Sequence, residues 1–230
     1  MIVCGYEKFS MVDFDEKIAC TVFTGGCNFR CPFCQNGALV VGNVKAEQID
    51  ENEVFDYLQK RKGLVDAVCV TGGEPTLQPD LKDFLRKVRD MGYLTKLDTN
   101  GLRPDVLKSV LDEKLVDYVA MDVKNSLKKY AVTVGLNEVD TAKIKESVDT
   151  LLNGNVDYEF RTTLIKEFHT AEDMREIADL INGAKKYFMQ KYKDNEGCIA
   201  HGFSPVEKDE AEKFKTLFDG KVAKIGLRGY

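Results

Sequence analysis

Short apolar runs alternate with amphipathic stretches along most of this 230-residue chain. The runs are rich in Val, Ile, Thr, Tyr and Phe, the residues that strands favour. Six strands are predicted, at 18–24, 67–71, 94–97, 118–123, 158–165 and 187–192. Strict alternation of strand and helix is typical of a parallel sheet with right-handed crossovers. The sequence therefore predicts an α/β fold, built either as an open doubly wound sheet or as a barrel.

Charged residues on one side of the predicted strands favour the barrel. Asp122 and Lys124 share one side of their strand, as Glu159 and Arg161 do in another. Parallel strands that are covered on both faces should be apolar on both sides. A charged face suits a wet or ligand-filled interior with the helices outside, so we predict a partial (β/α)6 TIM-like barrel. Alternatively, Asp122 with Lys124, and Glu159 with Arg161, are internal ion pairs or strand-end residues near water.

Helical patterns fill the intervals between the predicted strands. Asp50 and Glu53 form a capping pair before one helix. Further helices are predicted from Leu81 to Met91 and at 104–113, 141–153, 170–182 and 205–218. The length suits one substantial core. We therefore predict a single domain over 1–230, with its core at about 17–192 and a C-terminal helix and tail at 204–230.

The charge balance and hydropathy exclude two classes of partner. The chain has 33 Lys and Arg against 38 Asp and Glu, a net charge of −5, which gives no basic footprint for nucleic acid. The first residues do not form a basic region followed by an apolar stretch, so no secretory signal is predicted. The apolar runs fall short of the ~20 residues that a membrane span needs. We predict a cytoplasmic protein without a membrane partner.

Three of the seven cysteines form a motif in the loop after the first predicted strand. Cys27, Cys31 and Cys34 have the spacing C-x3-C-x2-C, at the end of a strand where parallel α/β proteins place their sites. Both a three-ligand catalytic zinc and a 4Fe-4S cluster with one open iron fit three thiolates. The other four cysteines are isolated and are interpreted as small apolar residues: Cys4, Cys20, Cys69 and Cys198.

Phe33 precedes the third cysteine of this motif, and the resulting C-x3-C-x-aromatic-C pattern resembles that of the radical S-adenosylmethionine (SAM) enzymes. The sequence Gly72-Gly73-Glu74-Pro75, after the second predicted strand, is similar to the motif that contacts the amino group of SAM in this superfamily. Three further motifs, at 98–101, 120–124 and 159–163, resemble the activating enzymes of glycyl radical enzymes. They look most like the anaerobic ribonucleoside-triphosphate reductase activating proteins. One departure is 13–17, where relatives often carry Pro-Gly before the lysine.

The resemblance implies a radical SAM core with one 4Fe-4S cluster on Cys27, Cys31 and Cys34, and with SAM on the fourth iron. It implies that Glu74 faces the SAM ammonium group and that Phe33 lies beside the adenine. Further cofactor-binding residues follow from the motifs: Gly72, Gly73, Pro75, Asp98, Thr99, Asn100, Asp122, Lys124 and Arg161. Of these, Asp98, Thr99 and Asp122 are candidates for a site near a monovalent cation. Lys124 and Arg161 are candidates for the SAM carboxylate or the ribose.

The implied activity is reductive cleavage of SAM and formation of a glycyl radical on an anaerobic ribonucleotide reductase, with a flavodoxin- or ferredoxin-type electron donor. Three alternatives stay open. One is an activase of another glycyl radical enzyme, and a second is a small-molecule enzyme such as a 7-carboxy-7-deazaguanine synthase. Those synthases tend to carry Asp-Thr after the third cysteine, where this chain has Gln35 and Asn36. The third is a zinc- or cluster-binding interaction module without catalysis.

The only two histidines are not predicted to be ligands. His169 precedes Thr170, a predicted helix cap, and is expected in a solvated loop. His201 follows the sixth predicted strand, on the side expected for the cofactor. A lone loop histidine usually has no special role, so none is assigned to it.

Overall fold

A computed structural model describes residues 1–44 and 48–230. These residues form one eight-stranded sheet, in which the strands follow one another in chain order. The strands are β1 (Val3–Ser10), β2 (Ala19–Thr24), β3 (Ala67–Gly72), β4 (Leu94–Thr99), β5 (Tyr118–Asp122), β6 (Asp157–Leu164), β7 (Lys186–Lys191) and β8 (Lys224–Arg228). Strand β2 is parallel to β3, β3 to β4, β6 to β7 and β7 to β8. The predicted α/β fold with a mainly parallel sheet is confirmed.

The six predicted strands correspond to β2 through β7, whereas β1 and β8 were not predicted. Strand β1 pairs antiparallel with β2, and its sequence includes Gly5 and the exposed charges of Glu7 and Lys8. Strand β8 has five residues, with Gly226 at its centre. A Cβ at Gly226 would lie 2.6 Å from the Phe188 ring. Both strands therefore lack the apolar, β-branched run by which a strand is recognised.

The predicted helices are present with small changes at their ends. The helices are α1 (Gly37–Val41), α2 (Glu51–Lys60), α3 (Leu81–Asp90), α4 (Pro104–Asp112), α5 (Tyr130–Thr133), α6 (Thr141–Asn153), α7 (Ala171–Leu180) and α8 (Lys208–Thr216). Asp50 caps α2 by accepting a hydrogen bond from the Asn52 amide, and Thr170 caps α7 in a reciprocal capping box with Asp173. Helix α8 is shorter than the predicted 205–218, and the short helices α1 and α5 were not predicted. Short 3₁₀ helices follow β3 (Pro75–Leu77) and β5 (Leu127–Lys129).

The chain packs into two compact units. Unit 1 comprises Met1–Asn28, Asn36–Thr99 and Asp105–Val119, and unit 2 comprises Phe29–Gln35, Asn100–Pro104 and Ala120–Tyr230. Each has its own fully buried apolar core, with Val70 and Leu85 in unit 1 and Phe160 and Ile177 in unit 2. In the part of the chain that is described, no helix is long and apolar enough to cross a membrane. The single domain over 1–230 stays a prediction.

Candidate functional site

The Gly-Gly-Glu-Pro motif, 72–75, packs against the start of the cysteine loop within unit 1. The Gly73 amide donates a 2.8 Å hydrogen bond to the Thr24 carbonyl, and the Glu74 amide donates one of 2.8 Å to the Gly26 carbonyl. A Cβ at Gly73 would lie 2.0 Å from the Gly26 carbonyl oxygen. Only glycine fits such a close approach of two backbones.

Two side-chain amides reinforce this contact in unit 1. Asn36 Nδ2 donates to the Gly72 carbonyl at 2.9 Å, and Gln78 Nε2 donates to the Gly25 carbonyl at 2.8 Å. Asn36 is the second residue after Cys34, and its amide therefore ties the far end of the cysteine loop to the motif. Sequence reasoning assigned no role to Asn36, because its partner lies 36 residues further along the chain.

Glu74 is buried, with 1% of its surface exposed. Its Oε1 atom accepts hydrogen bonds from the Thr76 amide at 3.1 Å and the Thr99 hydroxyl at 2.8 Å, and it also accepts from the Thr76 hydroxyl. The carboxylate thereby caps the 3₁₀ helix that follows it. Thr99, predicted to lie near a cation, therefore holds the carboxylate predicted to face the SAM ammonium group.

Asp98, at the end of β4, has a cationic partner in unit 1. The Lys96 ammonium lies 2.9 Å from Asp98 Oδ1, and the Thr71 hydroxyl donates to Oδ2 at 3.3 Å. Lys96 also donates to the Asp13 carbonyl, and the Asp13 carboxylate accepts a 2.6 Å hydrogen bond from Thr21. Lys96 is nearly fully buried, so this polar network neutralises a buried charge.

Unit 2 holds the part of the cysteine loop that contains Cys31 and Cys34. The Cys34 amide donates to the Cys31 carbonyl at 3.0 Å, which closes a tight turn. The segment after β7 holds this turn, since the Ala200 amide donates to the Pro32 carbonyl at 2.7 Å and the Ile199 amide donates to the Cys34 carbonyl at 3.1 Å. These bonds fix the main chain of the turn that carries Cys31 and Cys34.

Phe33, predicted to lie beside the adenine, belongs to an aromatic group in unit 2. Its ring centroid lies 5.9 Å from that of Phe168, which lies 5.4 Å from that of Phe203. Phe29 makes an edge contact with Tyr130, with 6.1 Å between centroids. Phe29, two residues before Cys31, and Phe33, inside the turn, therefore both pack against aromatic rings.

Asp122, Lys124 and Arg161 form one cluster in unit 2, which we call the charge cluster. Arg161 Nε lies 2.9 Å from Asp122 Oδ1, and Lys124 Nζ lies 2.9 Å from Oδ2. The internal ion pair between Asp122 and Lys124, one of the two sequence alternatives, is present. Glu159 accepts a two-pronged contact from Arg228, with 2.6 Å from Nη1 to Oε1 and 2.9 Å from Nη2 to Oε2.

The charge cluster carries one net positive charge. Burial opposes ionisation of Asp122, but Arg161 and Lys124 outweigh it and hold the pKa of the carboxyl group at about 2. Burial likewise opposes the charge on Lys124, but Asp122 and the Cys31 sulfur raise the pKa of the ammonium group above its usual value. All three members are therefore charged at neutral pH, with two cations to one anion.

We predict that Asp122→Asn lowers the free energy of unfolding by about 2 kcal/mol at pH 7. The native pKa of about 2 lies below the usual 3.8. This contribution is therefore present above pH ~4 and is lost as the pH falls towards 2. Urea unfolding at pH 7 and pH 3 should show the difference from the wild type shrinking in acid. Asp149→Asn, which breaks only an exposed pair with Lys145, should cost less than about 0.5 kcal/mol at both pH values. An equal loss of unfolding free energy for Asp122→Asn at pH 7 and pH 3 would contradict the lowered pKa of Asp122.

The histidines and isolated cysteines have different surroundings. The expectation for His169 was wrong, because its side chain is buried, with its Nε2 atom 2.9 Å from the Lys124 carbonyl. His201 is exposed and lies 2.7 Å from Asp194. Burial raises the pKa of the Cys20 thiol to about 12, as expected for an apolar residue. The other isolated cysteines are buried or half-buried: Cys4, Cys69 and Cys198.

Asn100 begins the turn after β4 in unit 2, and its Oδ1 atom accepts a 3.0 Å hydrogen bond from the Leu102 amide. Among residues 1–44 and 48–230, no group of three or more His, Cys, Asp and Glu side chains is gathered as metal ligands would be. The ligand set Cys27, Cys31 and Cys34 therefore rests on sequence spacing and stays a prediction.

Residues 21–181 match the Radical SAM superfamily. The chain belongs to the radical SAM superfamily. Members of this superfamily bind an iron–sulfur cluster and SAM. The residues present fit these groups, because three thiols at C-x3-C-x2-C spacing suit iron. Gly73 also allows the 72–75 motif to approach the Gly26 backbone closely, at the start of the cysteine loop.

This radical SAM protein is similar to two curated relatives and to one solved structure. A Methanocaldococcus jannaschii protein named "Putative glycyl-radical enzyme activating enzyme MJ1227" is 31% identical, covering 97% of this chain and 92% of its own. The 7-carboxy-7-deazaguanine synthase of Methanopyrus kandleri is 26% identical, covering 82% and 91%. A domain of the pyruvate-formate lyase-activating enzyme from Bacteroides vulgatus has a TM-score of 0.56 at 17% identity, covering 71% and 99%. The last likeness concerns the fold alone.

Proposed function

We propose that this radical SAM protein is an activase that generates a glycyl radical on an anaerobic ribonucleoside-triphosphate reductase. The supporting observation is the similarity, over 97% of this chain at 31% identity, to a protein named as a putative glycyl-radical enzyme activating enzyme. The charge cluster adds to it, because Lys124 and Arg161 place two cations beside Asp122. Such cations suit the carboxylate of SAM.

In the proposed reaction, Cys27, Cys31 and Cys34 would hold three irons of a 4Fe-4S cluster. When bound and reduced, the cluster would supply the one electron that cleaves SAM into methionine and a 5′-deoxyadenosyl radical. Transfer of one hydrogen atom from the target glycine would leave 5′-deoxyadenosine and the glycyl radical. The chemistry belongs to the cofactors, and the protein orients them. A flavodoxin- or ferredoxin-type protein is the proposed electron donor.

The proposed roles of the other residues follow from their charges and contacts. Glu74 receives the SAM ammonium group, and hydrogen bonds from Thr76 and Thr99 hold its carboxylate in place. Lys124 and Arg161 receive the SAM carboxylate, and the fork of Arg161 matches its geometry. Further cofactor contacts are proposed for residues of the same motifs: Phe33, Gly72, Gly73, Pro75 and Asn100.

A monovalent cation near Asp98, Thr99 and Asp122 is also proposed, because oxygen donors suit a hard ion. Lys96 competes for the Asp98 carboxylate, and Lys124 and Arg161 compete for that of Asp122. We therefore expect the cation to bind weakly.

The activase proposal is tested by mixing anaerobically reconstituted, reduced protein with SAM and an anaerobic ribonucleotide reductase. A glycyl radical should appear by electron spin resonance. A reductase variant with alanine in place of its target glycine is the matched control and should give no signal. A radical on another glycyl radical enzyme, but not on this reductase, would reassign the partner and keep the activity.

The relative from Methanopyrus kandleri supports a second candidate, a 7-carboxy-7-deazaguanine synthase. The residues after Cys34 argue against it, because this chain has Gln35 and Asn36 where those synthases tend to carry Asp-Thr. The Asn36 amide instead donates to the Gly72 carbonyl. Turnover of a free pterin substrate, without any partner protein, would favour the synthase. If neither the activase nor the synthase activity is found, and the cluster spectrum does not change when SAM is added, the protein would be a binding module without catalysis.

A further inference from the structure

His169 lies in the turn between β6 and α7 of unit 2, and only 3% of its surface is exposed. Its Nε2 atom lies 2.9 Å from the Lys124 carbonyl oxygen, and its Nδ1 atom lies 3.0 Å from the Ile165 amide nitrogen. Both ring nitrogens are therefore engaged with the main chain.

The partners determine which nitrogen carries the proton. Burial lowers the pKa of His169, so the ring is neutral at pH 7. A carbonyl oxygen only accepts, so Nε2 donates to Lys124 and Nδ1 accepts from the Ile165 amide. The Ile165 carbonyl, 3.1 Å from Nδ1, accepts instead from the amides of Phe168 and His169. One tautomer satisfies the whole arrangement.

Lys124 needs such support because it lies beyond the end of β5. The Val123 amide still donates to the Arg161 carbonyl at 2.9 Å, and the Thr162 hydroxyl donates to the Val123 carbonyl at 2.7 Å. At Lys124, side chains replace the neighbouring strand as hydrogen-bond partners of the main chain. The Tyr130 hydroxyl lies 3.3 Å from the Lys124 amide nitrogen, and His169 binds the Lys124 carbonyl. The main chain of Lys124 is therefore fixed on both sides.

The turn that carries His169 also contacts the cysteine loop. Phe168, the neighbouring residue, packs its ring against Phe33 and accepts a 3.0 Å hydrogen bond from Asn125 through its carbonyl. One turn thus holds both an aromatic residue of the cysteine loop and the main chain that places the Lys124 ammonium.

We infer that His169 is a positioning residue, whose hydrogen bond to the Lys124 carbonyl places the charge cluster for the carboxylate of SAM. The inference rests on the proposed function, in which this cluster receives that carboxylate. His169 itself touches neither cofactor nor substrate. Loss of a partner that orients a ligand-binding side chain usually costs about tenfold to a hundredfold in affinity or activity.

The test compares SAM affinity in three variants of the anaerobically reconstituted protein by equilibrium dialysis. His169→Ala should weaken SAM binding by roughly tenfold at unchanged iron content. His169→Gln should recover most of this loss, because its amide can donate to the Lys124 carbonyl. Tyr158→Phe is the matched control: it removes one partly buried hydrogen bond of unit 2, which the Lys185 amide donates to the Tyr158 hydroxyl. It should lower the melting temperature without changing SAM affinity.

Unchanged SAM affinity in His169→Ala, with a lower melting temperature alone, would reduce His169 to a structural residue. Equal losses of SAM affinity in His169→Ala and His169→Gln would contradict the inference that His169 acts through its hydrogen bond to the Lys124 carbonyl. Should His169→Ala fail to fold, ¹⁵N NMR of the wild-type histidine rings still tests the inference, because a proton on Nδ1 of His169 would refute it. A wild type that binds no SAM would instead overturn the proposed function.

Discussion

Cys31→Ala should abolish glycyl radical formation and lower the iron content after reconstitution from about four atoms per chain to near zero. A cluster held by three cysteines cannot lose one of them and keep an iron free for SAM. The fold should persist, because the Cys31 carbonyl still accepts from the Cys34 amide in the variant. Iron analysis, the visible spectrum and electron spin resonance measure the outcome, and circular dichroism confirms folding.

Cys20→Ala is the control for this prediction. Cys20 is fully buried on β2, and burial raises its pKa to about 12, so it is a thiol at neutral pH and a poor iron ligand. The variant should keep its iron and its radical yield, at a cost of about 1 kcal/mol in stability. Normal radical yield in Cys31→Ala would overturn the proposed mechanism.

Gly73→Ala should lower the free energy of unfolding by about 3 kcal/mol and prevent SAM binding. The new Cβ would lie 2.0 Å from the Gly26 carbonyl oxygen and 2.7 Å from its carbon. Both atoms belong to the backbone, so the cysteine loop or the 72–75 motif must move. That movement would break the hydrogen bond that the Glu74 amide donates to the Gly26 carbonyl, and Glu74 would lose its present position.

Gly92→Ala separates this steric effect from ordinary glycine strain. Gly92 has φ of +91°, and a Cβ there would meet nothing within 4 Å. Its cost should be about 1 kcal/mol, from the left-handed backbone alone, and SAM binding should be unaffected. Urea unfolding and equilibrium dialysis measure both variants. Equal stability losses at the two positions would contradict the close contact at Gly73.

The sequence predicts those features that depend on local patterns. The strands β2 to β7 were recognisable because each is a dense run of strand-forming residues, and the 72–75 motif because its spacing is local. The Glu159–Arg228 pair and the burial of His169 were not predictable in the same way. Their partners lie 69 and 45 residues away along the chain, and no local pattern records such a contact.

The position of β8 bears on how this protein can be shortened for experiments. A fragment cut to the superfamily match, 21–181, would lack β1, β7 and β8 entirely, three of the eight strands that the described residues form. It would also leave Glu159, 2% exposed, without the guanidinium group of Arg228. Removing an ion-pair partner from a buried carboxylate destabilises the fold. Fragments for crystallisation or partner mapping should therefore retain the C-terminal residues through Arg228.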